Sequence, residues 1–238
     1  MSKELELLQT ELNNSFPELI KLERNILVPQ PEPFSTSYDL LLKNEIRSCT
    51  ISLFGNEKSY RYIFEWDNCS IFEIFSNDVK RLGKIILDWV LKKSMPSKMT
   101  NQFPEIQFGL LAEYYEKGER IKGEFIESWN SIEEFYCSFS DSWISNGKDA
   151  LRLIKKMRKL GLDPKLRAGQ SLWSFILSRS RRHGLKEDAS HVEITFLGDN
   201  KMSIKSNLNG KKTSLESKVE YGEYLQGQIK YLLKEKIE

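Results

Sequence analysis

Histidine and cysteine are scarce in this chain of 238 residues, which holds two histidines and three cysteines. The histidines, His183 and His191, are too few for a multi-histidine metal site and for most histidine-based catalytic schemes. Cys49, Cys69 and Cys137 are odd in number and widely spaced, which argues against a disulfide framework and against a zinc knuckle. We expect Cys49 and Cys69, which lie in predicted strands, to be small buried hydrophobic residues.

Long apolar runs and nucleotide-binding motifs are also missing. No run approaches the roughly 18 apolar residues that a membrane-spanning helix needs. The N-terminus lacks the positive region and apolar core of a signal peptide. The patterns G-x-x-x-x-G-K-[ST], G-x-G-x-x-G and G-x-S-x-G do not occur. These absences favour a cytoplasmic protein that binds no membrane and no cofactor and is not an enzyme.

Charge is divided unevenly along the chain, and the division singles out residues 148–186. This stretch contains twelve Lys or Arg residues and two acids, Asp149 and Asp163, and so carries a net charge of +10. The whole chain carries +2, so the remainder carries −8. The preceding residues 105–142 contain nine acids and three bases. A basic stretch next to an acidic one indicates either internal charge pairing or a binding surface.

The basic stretch predicts two helices. Over 148–160, apolar residues recur on one face and cations line the other at one-turn spacing. Over 171–183, the sequence is apolar nearly all round, which indicates a buried middle, and an arginine cluster occupies the last turn. The candidate anion- or partner-binding residues are Arg152, Lys155, Lys156, Lys159, Arg179, Arg181 and Arg182.

Alternating apolar and polar residues predict β-strands in two places. The first cluster covers 46–54, 59–66 and 69–75, and the second covers 191–197, 201–206 and 211–215. The aromatic residues of 59–66 all fall on one face, which is typical of a half-buried strand. Short connections make the strands of each cluster antiparallel.

A helix follows each cluster of strands, over 77–93 and over 217–236. The buried face of the first is predicted to be Val79, Leu82, Ile86, Trp89 and Val90. Further helices are predicted over 3–27, with a break at Pro17, and over 104–117 and 122–138. The expected fold class is α+β, with two antiparallel three-stranded meander-plus-helix units joined by an acidic helical segment.

The corresponding domain organisation has three parts. Residues 1–37 hold N-terminal helices and a Pro-rich linker, residues 38–146 a first α+β unit with acidic helices, and residues 147–238 a second α+β unit with basic helices. The alternative is that these parts form one compact body.

Three interpretations of the basic stretch are open. Its cations could bind the phosphates of a nucleic acid with salt-dependent affinity. Base-specific reading is disfavoured, because the second predicted helix presents Leu172, Trp173 and Phe175 where polar groups are needed. The cations could instead pair with the acidic helices, at about 0–1 kcal/mol for each exposed pair. They could also meet an acidic protein partner.

Candidates for catalysis and metal binding are few. His183 is the one weak catalytic candidate, because the neighbouring arginines disfavour its protonation and a neutral imidazole can act as a base. No nucleophilic or acidic residue lies at a sequence spacing from His183 that is typical of a catalytic site. The pairs Glu113/Glu116 and Glu124/Glu127 lie one turn apart, but any solvated helix face shows such pairs, so we expect no metal site.

Aromatic residues supply the last functional signal. Tyr114-Tyr115 and Phe135-Tyr136 occupy adjacent helical positions, so one ring of each pair points away from the core, and exposed aromatic residues often anchor interfaces. The alternative is that two helix layers pack on both sides of these rings. We predict a non-enzymatic intracellular interaction protein of the inhibitor, immunity or accessory type, which recognises a protein partner through a charged and aromatic surface. The alternative is a nucleic-acid-associated protein that binds phosphates through residues 148–186, with His183 in a hydrolytic role.

Overall fold

The computed structural model of the chain describes residues 3–27, 39–54, 59–139, 146–182, 189–208 and 210–237. The chain divides into two units, Met1–Glu116 and Lys117–Glu238. Each unit contains a five-stranded antiparallel sheet in which neighbouring strands follow one another in the chain. The predicted α+β class is confirmed. Across these ranges, no helix is both long and apolar enough to span a bilayer.

The first unit begins with α1 (Lys3–Ser15) and a 3-10 helix (Pro17–Lys21). The sheet follows, formed by β1 (Glu23–Leu27), β2 (Asp39–Asn44), β3 (Arg47–Phe54), β4 (Ser59–Trp66) and β5 (Cys69–Ser76). Helix α2 (Val79–Ile86) continues into a π-helical turn (Leu87–Leu91), and α3 (Pro96–Gln102) and α4 (Leu110–Glu116) complete the unit.

The core of the first unit lies on one face of its sheet, because alternate residues of a strand point to opposite faces. Cys49 pairs with Phe64 and Ile51 pairs with Tyr62 across β3 and β4, and all four side chains are buried. The π-helical turn packs against β2 and β3, and α1 packs against α2. The predicted buried face of the helix after this sheet is confirmed for Val79, Leu82, Ile86, Trp89 and Val90.

A buried cation lies in this core. Arg47, the first residue of β3, is 2% exposed. Its guanidinium carbon lies 3.5 Å from the ring centroid of Trp66 and 3.7 Å from that of Trp89. The Arg47 Nη2 group donates to the carbonyl oxygen of Ser94 over 3.4 Å. The π-helical turn therefore supplies one of two aromatic walls that hold a charge inside the unit.

The second unit begins with two helices, α5 (Arg120–Ser138) and α6 (Gly147–Lys159). Its sheet is formed by β6 (Arg167–Ser171), β7 (Ser174–Ser178), β8 (His191–Gly198), β9 (Lys201–Leu208) and β10 (Lys211–Lys218). Helix α7 (Glu223–Leu232) follows. Helix α6 packs against α5 and β8, and α7 packs against β8 and β9.

Helix α5 covers one edge of the second sheet. It packs along β6, where the Ala168 backbone N–H donates to Ser128 Oγ over 3.0 Å. The indole Nε1 of Trp129 donates to the Leu166 carbonyl oxygen over 2.8 Å. These bonds satisfy polar groups that an uncovered edge strand would present to solvent.

The predicted number of strands is wrong, because each sheet has five strands and not three. The strands β1 and β2 precede the first predicted cluster, and β6 and β7 precede the second. The helical spacing of Leu19, Leu22 and Ile26 predicts a helix that includes residues 23–27. In the structure they form an edge strand, and pairing with β2 outweighs that weak local preference.

The predicted helix over 171–183 is also wrong, since β7 and the turn before it occupy its first half. Phe175 and Leu177 are buried on one face of β7, while Ser174 and Ser178 are buried on the other. Burial on both faces removes the alternation that marks a half-buried strand, and a short apolar run is then ambiguous between strand and helix.

The acidic helical segment is not confirmed as a single joining element, because the boundary between the two units falls within it. Helix α4 belongs to the first unit and α5 to the second, so the acids of residues 105–142 are divided between the two units. The acidic composition of this segment therefore does not mark one structural element.

Candidate functional site

The seven candidate cations fall into two sets in the second unit. Arg152, Lys155, Lys156 and Lys159 are exposed on α6, opposite the buried face that includes Leu153 and Ile154. Arg179, Arg181 and Arg182 follow β7, outside any helix. The helix that was expected to carry the arginine cluster in its last turn does not form there.

Two of the four α6 cations lie near carboxylates. Arg152 Nη2 lies 3.0 Å from the Asp149 carboxylate and also hydrogen-bonds Asn200. Lys155 Nζ lies 4.0 Å from Glu133 on α5. In the described part of the chain, no ion pair within 4.0 Å involves Lys156 or Lys159. Of the four candidate cations on α6, these two lysines are therefore the most available to bind an external anion or an acidic partner.

The charged faces of α5 and α6 do pair. Arg158 on α6 lies 2.7 Å from Glu133 and donates to Asn130 over 2.8 Å. Both partners lie on α5. This contact matches the internal-pairing interpretation of the acidic and basic stretches, although it engages Arg158, a residue outside the predicted set.

The three arginines after β7 hold the second unit together. Arg179 donates to the carbonyl oxygens of Lys165, over 2.6 Å, and of Glu235, over 3.1 Å. Arg181 and Arg182 both contact the carboxylate of Glu124, at 2.8 Å and 3.1 Å. The Glu124 side chain is 2% exposed, so these arginines neutralise a buried charge on α5.

The catalytic and metal candidates gain no support. His183 lies outside the described residues. His191 opens β8, and its Nδ1 lies 2.8 Å from the carbonyl oxygen of Ala189. The described ranges contain no group of three or more His, Cys, Asp or Glu residues placed to hold a metal ion.

A strained hairpin tip is the most unusual feature of the surface. The strands β6 and β7 pair as far as Ser171 and Ser174, so Leu172 and Trp173 form a two-residue turn. Leu172 has a φ of +53° and is 86% exposed. Left-handed backbone is unfavourable for a leucine, and this turn position is normally occupied by glycine, asparagine or aspartate. In the isolated protein, Leu172 is therefore unfavourable in two respects: its backbone is strained and its apolar side chain is exposed to water.

An aromatic cluster formed by α5 and the residue that follows it supports the tip. The ring of Trp173 lies 5.8 Å from that of Phe135 and 5.3 Å from that of Phe139, centroid to centroid. The hydroxyl of Tyr136 donates to the Trp173 carbonyl oxygen over 2.9 Å. Burial raises the pKa of Tyr136 above its ordinary value, which keeps this hydroxyl protonated as a donor.

We name the residues Leu172, Trp173, Phe135 and Phe139 the tip surface. Trp173 is 37% exposed, Phe139 is 36% exposed and Phe135 is partly buried. Residues 168–178 contain no charged side chain. The tip surface therefore presents apolar groups without nearby charges from its own hairpin.

Sequence reasoning expected one ring of the Phe135-Tyr136 pair to point outward, and Tyr136 is the fully buried member. It missed Leu172 and Trp173, which it placed inside a helix. Serines before and after the Leu-Trp pair, within an uncharged run, were a local signal for a turn.

The tip surface provides no nucleophile, acid or base, so its chemistry is limited to non-covalent contact. The comparisons with known proteins add no further guidance. The chain matched no protein-family model, no curated protein and no solved structure.

Proposed function

We propose that this chain is a non-enzymatic interaction protein that binds a partner protein through the tip surface. The observation that carries the proposal is Leu172, which is 86% exposed in a left-handed backbone conformation. Its side chain gains nothing from exposure, and its backbone costs about 1–2 kcal/mol relative to an ordinary conformation. Strained backbone conformations cluster at functional sites, because the free energy of binding a partner can offset a conformational cost that folding leaves uncompensated.

The composition of the tip surface fits a binding hot spot. Full burial of a leucine side chain in a partner contributes about 1.5–3 kcal/mol, which is enough to offset the backbone strain. Tryptophan and other aromatic residues are enriched at the centres of interfaces, where charged residues are depleted. The uncharged hairpin avoids the desolvation cost that a buried charge would add.

The shape of the tip indicates the shape of the partner. A two-residue turn projects from the sheet, so its complement is an apolar concave site that takes the Leu172 side chain. The exposed cations of α6 would then affect the rate of encounter and the choice of partner more than the affinity. An inhibitor, immunity or accessory protein would use a surface of this kind. The cytoplasmic location stays a prediction of the sequence.

The substitution Leu172→Asn tests the proposal, because asparagine tolerates left-handed backbone and lacks the apolar side chain. We expect the free energy of unfolding to stay unchanged or to rise by about 1 kcal/mol, and partner binding to weaken at least tenfold. The measurements are urea unfolding and affinity capture with mass spectrometry, followed by titration of the captured protein.

Leu160→Asn is the matched control, since Leu160 is an exposed leucine of the same unit with an ordinary backbone conformation at the end of α6. This variant should capture the same partner as the wild type. Equal capture by the Leu172→Asn variant would reject the tip surface as the binding site.

A second candidate function rests on the exposed lysines of α6. Lys155, Lys156 and Lys159 could contact the phosphates of a nucleic acid, as the alternative prediction holds. Replacing all three by glutamine should then lower the dependence of log affinity on log salt by about 2–3. A wild type whose affinity for mixed nucleic acid does not change with salt would contradict this function.

A further inference from the structure

The two edges of the second sheet differ in how they are covered. The edge strand β6 is covered by α5, whereas β10 stands at the other end of the strand order. β10 pairs with β9 over its whole length, and all its residues except Ser217 are exposed. No strand of the described ranges pairs with its outer side. An edge of this kind presents backbone N–H and C=O groups that can pair with another chain.

A cationic groove lies on one face of this edge. It has a volume of about 410 Å³. The register places its side chains in two rows, with His191, Asn207 and Lys212 in the first and Glu193, Lys205 and Ser214 in the second. The charged members are two lysines and one glutamate: Lys205 on β9 stands opposite Glu193, and Lys212 lies on the edge strand β10. The groove therefore favours acidic side chains.

A second groove lies on the opposite face, between β10 and α7. It has a volume of about 220 Å³ and is lined by Ser206, Leu208, Lys211, Thr213, Gln228 and Tyr231. Gln228 accepts a hydrogen bond from Ser206 over 2.7 Å, so the helix is fastened to β9 beside the groove. Tyr231 is 56% exposed. Most of the accessible lining is apolar although Lys211 lies at one side, so the groove can accept apolar side chains.

We propose that β10 accepts an extended segment of a partner protein as a sixth strand, with acidic side chains on one face and apolar side chains on the other. In strand addition, backbone hydrogen bonds provide affinity and grooves for alternate side chains provide specificity. The two grooves flanking β10 match the two faces of such a segment. Lys211, Lys212 and Lys218 also disfavour pairing of β10 with a second copy of itself. This site is separate from the tip surface.

The probe is an eight-residue peptide of alternating glutamate and valine, blocked at both ends and labelled for fluorescence anisotropy. We expect saturable binding to the wild-type chain and at least tenfold weaker binding to Lys205→Glu with Lys212→Glu. The control Lys156→Glu with Lys159→Glu makes the same change of charge on α6 and should bind like the wild type. The Leu172→Asn variant should also bind the peptide like the wild type. The peptide result therefore stays interpretable even if the tip surface proves not to bind a partner.

Two further peptides separate strand addition from simple charge attraction. One carries N-methyl groups on its odd residues and the other on its even residues. Alternate amides of a strand face the same neighbour, so one peptide should lose binding at least tenfold and the other should keep it. Equal binding of both methylated peptides would overturn the proposal, as would the absence of saturable binding. The chain could instead self-associate in a concentration-dependent way that the Lys212→Glu substitution alters. That result would identify a second copy of the chain as the occupant of the β10 edge and would also overturn the proposal.

Discussion

The first unit buries a cation, Arg47, in addition to the acid Asp88, whereas the buried charged residue of the second unit is the acid Glu124. The two units share an order of elements, since α1, the strands β1–β5 and α2 correspond to α6, the strands β6–β10 and α7. The guanidinium of Arg47 lies between two indole rings. The carboxylate of Glu124 is met by two guanidiniums. The same topology therefore accommodates a buried charge of either sign when the surroundings match its chemistry.

The difference shows how each unit compensates desolvation. A planar, weakly hydrated guanidinium is attracted to the faces of aromatic rings, so Arg47 also acts as packing between Trp66 and Trp89. A carboxylate has no such option and needs donors and positive charge. Arg181 supplies both through Nε, at 3.0 Å, and Nη2, at 2.8 Å, and thereby ties α5 to the chain after β7.

The largest expected effect comes from replacing both partners of Glu124. The variant Arg181→Gln with Arg182→Gln removes two ion pairs from a buried carboxylate and should lower the free energy of unfolding by about 3 kcal/mol. This value lies at the low end of the stability losses typical of a broken buried ion pair. Both arginines are partly exposed, so solvent screens their interaction with Glu124. Urea unfolding of the purified variants measures it.

Adding Glu124→Gln to that variant provides the control. An amide needs no counter-charge, so this third substitution should recover at least about 1 kcal/mol. A double arginine variant that loses less than about 1 kcal/mol would show that the cluster behaves like an exposed salt bridge.

The next effect concerns Arg47 in the first unit. Arg47→Ala opens a cavity between Trp66 and Trp89 and should cost about 2–3 kcal/mol. Arg47→Met keeps most of the volume without the charge and should cost less than about 1.5 kcal/mol. Urea unfolding followed by tryptophan fluorescence compares them. Equal losses for both variants would mean that the cation, and not its volume, stabilises this core.

The smallest effect is a difference in alkaline stability. Burial, with a contribution from the charge of Glu65, raises the pKa of the Cys49 thiol well above its ordinary value. A group of this kind contributes stability that is complete below its unfolded pKa, about 8.5 for cysteine, and is lost as the pH rises above it. Relative to Cys49→Ala, the wild type should lose about 1.4 kcal/mol for each pH unit above about 9.

Urea unfolding between pH 7 and pH 10 checks this difference. The buried Tyr136, whose pKa is raised by burial, is present in both proteins and cancels in the comparison. The pKa of Tyr62 is raised by burial and also by the charge of Cys49, so part of the difference reports the coupling of these two groups. Parallel stability curves for the wild type and the Cys49→Ala variant would show that the thiol does not ionise on unfolding in this range.

Local pattern was sufficient for some elements and insufficient for others. The helix α6 and the strand β4 were predicted nearly to the residue, because each has one buried and one solvated face that gives a clear period. The strand β7 was missed because both of its faces are buried. Leu172 and Trp173 of the tip surface were missed for the same reason, because they adjoin that apolar run and the sequence pattern places them inside the predicted helix.

The sequence by itself determined the α+β class, the separation of acidic from basic residues and the buried faces of the amphipathic elements, because these depend on the order of neighbouring residues. The tertiary structure alone decided which charges remain available. Arg181 meets a carboxylate 57 residues away, whereas Lys156 and Lys159 stay at the surface. Only tertiary packing also revealed that Leu172 is exposed. The physical reason is that pairing and burial depend on contacts between distant parts of the chain, which local periodicity does not encode.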